Sequence, residues 1–419
     1  MAKKVLIVGG GGREHAIAWK LKQSKEELEL YCAPGNGGIA EIATCINISA
    51  TDINSMVRWA KDNAMDLVFV APDDPLALGM IDDLNKAGIR AFGPTMAAAE
   101  IEWSKSYSKK LMKSYGIPTG NFQSFDMVDA ALEYIKSAEL PIVVKADGLA
   151  LGKGVIICET RQQAMAAIKE IMVDMKFGDA GAKVVIEEFM TGPEVSVLAF
   201  CDGKTVRPML AAQDHKRAYD GDKGPNTGGM GTFAPSPKYT DSIRNFAEKE
   251  IYQKTVDALN TEGRPFKGVI FFGLMLTKEG PKVLEYNARL GDPEVQSVFM
   301  LLKSDLWEII NAVIDGTLDQ IELEWEDSSA VCVVMASGGY PGSYETGKLI
   351  KGLDKVDPDV MVFHAGTQRL NDKILTSGGR VLGVTASGNN IDAARKKAYA
   401  NVGKITFDEA QYRTDIGIK

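Results

Sequence analysis

Residues 5–8, Val-Leu-Ile-Val, run directly into Gly9-Gly10-Gly11-Gly12, and a helical spacing of apolar residues follows over 14–21. A short apolar strand, a glycine turn and a helix in that order open a βα unit of a parallel sheet. Residues 67–71 repeat the rhythm: an apolar run ends at Pro72-Asp73-Asp74-Pro75 and leads into the helix-like stretch 76–87. The first hundred residues are therefore expected to form a doubly wound α/β domain. The tetraglycine does not meet the G-x-G-x-x-G spacing, because Glu14 or His15 stands where the third glycine belongs, so a nicotinamide site is not expected. What remains is close backbone approach to a ligand and free N–H groups for an anion at the helix start, or a tight turn of purely structural value.

A mainly helical stretch follows Gly93-Pro94 as far as Tyr115. From 116 the pattern changes to strand 142–145, a glycine-rich turn, strand 155–158, helix 161–173 and strand 183–188. From Thr191 to about 287 it reads as strand-rich, interrupted by the polar, glycine-dense loop 214–231, and 294–313 reads as helix. The apolar run 330–336 opens a last unit with turns at Gly338-Gly339 and Gly378-Gly379 and a terminal helix near 391–402. At 419 residues the chain exceeds what one hydrophobic core usually organises. An α/β and α+β multidomain chain is expected, divided as 1–100, 101–325 and 326–419.

A formal net charge of -8 excludes a sequence-independent nucleic-acid footprint. The longest apolar runs fall far short of the roughly 20 residues needed to span a bilayer, and the N-terminus leads straight into a strand, so a cytoplasmic protein with no membrane or nucleic-acid partner is expected. Cys32, Cys45, Cys158, Cys201 and Cys332 are dispersed without a C-x-x-C pair and read as buried, reduced thiols.

Three constellations carry chemistry. Lys145-Ala-Asp-Gly148-Leu-Ala-Leu-Gly152-Lys153-Gly154 lies between two apolar strands. It departs from the Walker A spacing, lacks its Ser or Thr, and reads as a glycine-rich flap over phosphates with Lys145 against them; an exposed hairpin is the plainer alternative. Strand 183–188 ends in Glu187-Glu188-Phe189-Met190, with Glu194 six residues past Glu188. As a pair, Glu187 and Glu188 would accept the adenine amino group and Glu194 the ribose hydroxyls; a solvated strand end is the alternative. In Leu284-Glu285-Tyr286-Asn287-Ala288-Arg289, strand alternation puts Glu285 and Asn287 on one face, Cα atoms roughly 6.5 Å apart, with Leu284 and Tyr286 on the other. Two oxygen ligands on one face suit magnesium, and Arg289 is placed to meet a phosphoryl group or a carboxylate.

In this order, the Lys145 flap, the Glu187-Glu188 hinge and the E-x-N-x-R strand resemble the ATP-grasp superfamily. Gly9 to Ala16, Ala33 to Asn36, Phe92 to Thr95, Gln213 to Arg217, Gly224 to Gly231, Arg289 to Gln296, His364 to Thr367 and Gly378 to Leu382 narrow the resemblance to the phosphoribosylamine-glycine ligase family. The resemblance implies an N-terminal α/β domain, an ATP-grasp core with a mobile lid at about 120–190, and a C-terminal domain. It implies ATP-dependent joining of glycine to 5-phosphoribosylamine through glycyl phosphate, in purine synthesis. Carried over residue by residue, Lys105, Lys145, Gly148, Gly152, Lys153, Gly154, Glu187, Glu188, Phe189, Met190 and Glu194 would bind ATP, and Glu285 and Asn287 would hold Mg2+ or Mn2+. Asp214, Arg289, Gly291 and Asp292 would form the glycine pocket, with Arg289, Lys145 and Asp214 catalytic. Phosphoribosylamine would meet Gly10, Gly11, Gly12, Arg13, Glu14, Asn36, Asp73 and Pro75. Asp73-Asp74 and Thr232-Phe233-Ala234 depart from the family pattern. A monomeric, monofunctional version is expected; another carboxylate-amine ligase of the superfamily, or a catalytically silent nucleotide sensor, are the alternatives.

Overall fold

The computed structural model describes residues 2–149 and 154–418. The N-terminal sheet is parallel throughout, in the spatial order Thr44–Cys45, Leu28–Pro34, Lys3–Gly9, Leu67–Val70, Ala91–Phe92. Its central strand is apolar on both faces because both are covered: Val5 and Ile7 enter one core, Leu6 and Val8 the other. An antiparallel sheet, Val206–Pro208, Glu194–Asp202, Lys267–Thr277 and Gly280–Asn287, feeds the same two cores. Val197, Ile270 and Phe272 join Leu6 and Val8, while Leu198, Phe200 and Phe271 join Val5 and Ile7. The two sheets therefore form one apolar body.

The lid differs. Phe122–Phe125, Val184–Glu188, Ile142–Ala146 and Val155–Cys158 form their own antiparallel sheet. With helices Val128–Ser137 and Arg161–Met172 they enclose a private core of residues such as Ile135, Val144, Ile168 and Ile186.

Several expectations are corrected. The stretch read as strand-rich contains helices Asp241–Ala247, started by the Thr240 cap, and Gln253–Thr261, joined by a π-helical turn Glu248–Tyr252; together they bury Ala247, Ile251, Val256 and Leu259. The helix expected over 76–87 is two, Asp73–Ala77 and Met80–Lys86, separated by Gly79 at φ +85°. The helix expected over 294–313 is likewise two, Glu294–Phe299 and Leu306–Asp315, the second capped by Asp305. The C-terminal sheet is not confined to 326–419: Gln213–Asp214 and Gly231–Ala234 join Ser329–Ala336, Arg380–Gly388 and Val360–His364 in it. A strand lent by a distant segment leaves no composition break. Cys32, Cys158, Cys201 and Cys332 are buried thiols, but Cys45 is exposed because it lies on the edge strand. Among the described residues, no helix is long and apolar enough to cross a membrane.

Candidate active site

Strand Gly280–Asn287 carries the candidate metal ligands, and a bulge sets their phase. Gly273 pairs with Glu285 but Leu274 pairs with Val283, so Leu284 is an extra residue. Val283 and Tyr286 both enter the core, while Leu284 is half-buried and outside it; the expectation that Leu284 shares the face of Tyr286 is corrected. Glu285 and Asn287 still flank the buried Tyr286 and face the cleft. Removal from bulk water disfavours the Glu285 charge, but the cations of Lys216, Lys145, Lys105 and Arg289 outweigh it and hold the carboxyl below its usual range. An anionic oxygen beside an amide oxygen fits a hard divalent cation that keeps water and phosphate in its remaining positions.

Two residues on, Arg289 is held between domains. Its Nη2 lies 3.2 Å from Glu102 Oε1 and 3.9 Å from Asp73 Oδ2, and its Nη1 donates to the Leu290 carbonyl. Nε is buried without a partner, which leaves a donor for a ligand. Glu102 accepts from the Ala288 N–H at 2.8 Å, and burial pushes its carboxyl up to about 6 against the pull of Arg289.

The lysines of the lid junction converge on the same cleft. Lys105 donates to the Gly148 carbonyl at 3.0 Å, and Asp147 accepts from the Ser106 N–H and hydroxyl, clasping the lid loop to helix Lys105–Ser114. Gly148 packs on Ala180, and the buried Gly154 accepts from the Ala146 N–H. Gly152 and Lys153 lie outside the described residues. Glu187 Oε2 takes both Lys145 and Lys109 at 2.9 Å. Glu188 instead accepts from Asn121 and lies 3.6 Å from Lys282. Neighbours on a strand point to opposite faces, so the Glu187 and Glu188 side chains face apart and are not presented as a pair. Phe189 is exposed and Met190 buried just beyond them. Glu194 pairs with Lys216 at 3.0 Å, and Lys216 reaches 3.9 Å from Glu285.

Asp214, Glu294 and Arg380 lie beside this cluster, within reach of Lys216. Enclosure and the nearby Glu294 charge push the Asp214 carboxyl well up, and burial raises Glu294 too. Burial raises both carboxyls despite the nearby Lys216, Arg380 and Arg289, and a bound cation such as an ammonium would favour their charged form. Gly291 packs directly on the Glu294 carboxylate. Arg380 donates to the carbonyls of Gly228 and Asp292, and lies 3.4 Å from the Asp292 carboxylate.

At the glycine turn, a side chain on Gly10 would come within 2.5 Å of the Gly35 carbonyl, so only glycine fits. Gly11 caps helix Gly12–Leu21 and donates to Glu14 at 2.5 Å; Glu14 also pairs with Arg13 at 2.7 Å. Asp292 accepts from the Arg13 backbone, and although burial opposes its charge, Arg380 and Arg13 hold the carboxyl low. The helix start expected to receive a phosphate thus already faces two carboxylates. Asn36 donates to the Gly10 and His364 carbonyls and accepts from Gly38 and Ile39, so its amide is fully engaged in structure. Asp73 reaches Arg289, and Pro75 is buried behind it.

The family profiles of phosphoribosylglycinamide synthetase match in order: the N domain over 3–102, the ATP-grasp (A) domain over 103–295 and the C domain over 330–419. The chain belongs to the phosphoribosylglycinamide synthetase family. It is 49% identical over 415 residues to a phosphoribosylamine–glycine ligase of Halalkalibacterium halodurans, covering 99% of this chain and 96% of that one. The crystal structure of a phosphoribosylamine–glycine ligase from Thermotoga maritima superposes with a TM-score of 0.86 at 33% identity, covering 99% of this chain and 100% of that one. A biotin carboxylase from Campylobacter jejuni superposes at TM-score 0.79 over 100% of this chain and 94% of that one, with 15% identity, a likeness of fold.

In this chain, sequence reasoning gave no role to Glu102, Lys109, Lys216, Glu294 and Arg380. Lys109 had a signal: it stands four residues after Lys105 on one helix face. Arg380 lies inside the Gly378–Leu382 stretch but was given no role there, and Glu102 had no signal, since its partner Arg289 is 187 residues away in sequence.

Proposed function

We propose that this chain joins glycine to 5-phosphoribosylamine, cleaving ATP to ADP and phosphate and forming glycinamide ribonucleotide for purine synthesis. The observation that carries the reading is the convergence of Lys105, Lys145, Lys216 and Arg289 on the Glu285–Asn287 face, beside the buried Asp214–Glu294 carboxyl pair. A polyanion suits the first and an ammonium the second. The substrate that bridges them is an α-amino acid with its carboxylate turned toward the phosphates.

A divalent ion, Mg2+ or Mn2+, held by Glu285 and Asn287 would neutralise and orient phosphate oxygens. Lys145 and Lys105 hold the triphosphate, while Arg289, kept in place by Glu102 and Asp73, orients the glycine carboxylate through its free Nε–H. A carboxylate oxygen attacks the γ-phosphorus, the bond to the β-phosphate oxygen breaks, and ADP leaves. The phosphoribosylamine nitrogen then attacks the glycyl phosphate carbonyl, phosphate departs with the C–O bonding pair, and the nitrogen loses one proton to the departing phosphate. No enzyme nucleophile is needed; positioning and fixed charge do the work. The carboxylates of Glu14 and Asp292 favour the hydroxyl and amine groups of phosphoribosylamine at the glycine turn over its phosphate. Closure of the lid excludes water from the acyl phosphate.

Phosphate release measured with ATP, glycine and freshly formed phosphoribosylamine is expected to require all three. Release with another amino acid at the glycine rate, or without the amine, would overturn the reading.

A further inference from the structure

Lys109 is 1% exposed, and nothing in the proposed chemistry uses it. Its ammonium donates to Thr119 Oγ1 at 2.8 Å, and that hydroxyl donates to the Val283 carbonyl at 2.7 Å, on the strand that carries Glu285. Lys109 therefore belongs to the fixed body, anchored where the chain enters the lid. Lys145 belongs to the lid sheet, on strand Ile142–Ala146. Both cations share a single oxygen, Glu187 Oε2, and Glu187 Oε1 is buried with no partner.

This sharing is uneven in a useful way. Lys145 has Glu187 as its only ion-pair acceptor among the described residues, whereas Lys109 has a second tether in Thr119. When Lys145 turns to an anion in the cleft, it must leave a carboxylate that is 3% exposed. A buried carboxylate stripped of its only cation is strongly destabilised. With Lys109 in place the carboxylate is never stripped.

We propose that Lys109 is a positioning residue for nucleotide binding: it stays with Glu187 and keeps that carboxylate neutralised, which frees Lys145 for the phosphates. The proposal rests on the reading that Lys145 contacts ATP. It makes Glu187 Oε2 a switchable parking place for Lys145. Lys109 itself touches no substrate.

The test is the affinity of the full chain for a non-hydrolysable ATP analogue, by calorimetry, with a thermal melt to check folding. Lys109→Met ties Lys145 to Glu187 alone, and affinity is expected to fall roughly tenfold, with kcat at saturating ATP within about threefold of the parent. Lys109→Arg retains the cation and is expected to bind normally. In K109M/E187Q the carboxylate no longer holds Lys145, and affinity is expected to return to within about threefold of the parent. Glu187→Gln alone is an independent arm, expected to bind at least as tightly as the parent. The proposal is overturned if K109M binds normally, if K109M/E187Q binds as weakly as K109M, or if E187Q loses tenfold. Lys145→Met distinguishes the two readings: normal affinity there sinks the role of Lys145, whereas loss there with no rescue in the double variant sinks only the role of Lys109.

Discussion

The body and the lid are joined by opposite means. Where the N-terminal unit meets the C-terminal one, the seam is apolar: Phe363 is fully buried, stacks edge-on with His15 and Trp19, and shares a core with Val5, Ile7 and Phe271. Where the lid meets the body, the seam is polar, made of Lys109 with Glu187, Lys282 with Glu188, Lys105 with the Gly148 carbonyl and Asp147 with Ser106. Apolar contacts are lost together when two units part. The more exposed polar ones exchange with water or ligand at small net cost, while the buried Lys109–Glu187 pair stays closed as a pivot. A unit with its own core and a polar hem can move without unfolding its neighbour, which is what covering and releasing a nucleotide requires.

The largest expected effect tests this contrast directly. Phe363→Ala removes a ring common to both units and is expected to cost about 3–5 kcal/mol in urea denaturation, lowering the transition of the whole body. Ile168→Ala, in the private core of the lid, is expected to cost about 2–5 kcal/mol of lid stability while leaving the main transition in place. One common loss of stability in both variants would mean that lid and body are a single unit.

Next in size come substitutions at the cleft where the regions meet. Arg289→Ala and Glu285→Ala are each expected to lower turnover by roughly two to three powers of ten, the scale of one lost preorganised electrostatic contact. Near-normal turnover in either would remove it from the mechanism. The melt of Glu285→Ala is expected to stay close to the parent, because that side chain faces the cleft and not the shared cores, whereas Arg289→Ala leaves the buried Glu102 carboxylate without its cation and is expected to melt lower.

Acid separates the seams as well. His15 and His364 are buried at the apolar seam, and His15 Nδ1 accepts the His364 N–H at 2.8 Å, so that nitrogen carries no proton. Burial, with repulsion from His364, lowers His15 to about 3; burial, with Arg369, lowers His364 to about 4. Their unfolded values lie near 6.5, so the unfolded chain takes up protons that the folded one refuses. Stability is full above pH 6.5 and declines as pH falls toward 4, by on the order of 1–2 kcal/mol per histidine between pH 7 and 5. His364→Gln is expected to make the decline of melting temperature shallower over that range; an unchanged slope would place the acid sensitivity elsewhere. The lid segment 120–190 contains no histidine, so its private core is expected to be indifferent to the same change.

This contrast was only half legible in the sequence. The parallel N-terminal sheet followed from apolar runs ending at glycine or proline, and the Glu285–Asn287 face from strand alternation, because both are local patterns. The bulge at Leu284 was not legible, since nothing in Val283-Leu284-Glu285 marks which residue the partner strand skips. Glu187 and Glu188 read as a pair for want of knowing that Lys109 waits on one side and Lys282 on the other. The pairing of strand Gly231–Ala234 with Ser329–Ala336 is not legible either, because the two segments lie about a hundred residues apart. Local periodicity is written in sequence; the choice of partner is written in packing.

The smallest effect probes the hem of the lid contact by contact. Lys282 lies 3.6 Å from Glu188, with side chains 23% and 34% exposed, so solvent already screens most of their attraction. Lys282→Ala is expected to change global stability by less than about 1 kcal/mol, measured by urea denaturation. It is also expected to quicken chymotryptic cleavage within 120–190 in the absence of nucleotide, with a non-hydrolysable ATP analogue restoring the protection. A loss of stability approaching that of Phe363→Ala would show that this contact belongs to a cooperative core. The lid would then be held by the same kind of seam as the rest of the body, and its movement would have to be sought at a different hinge.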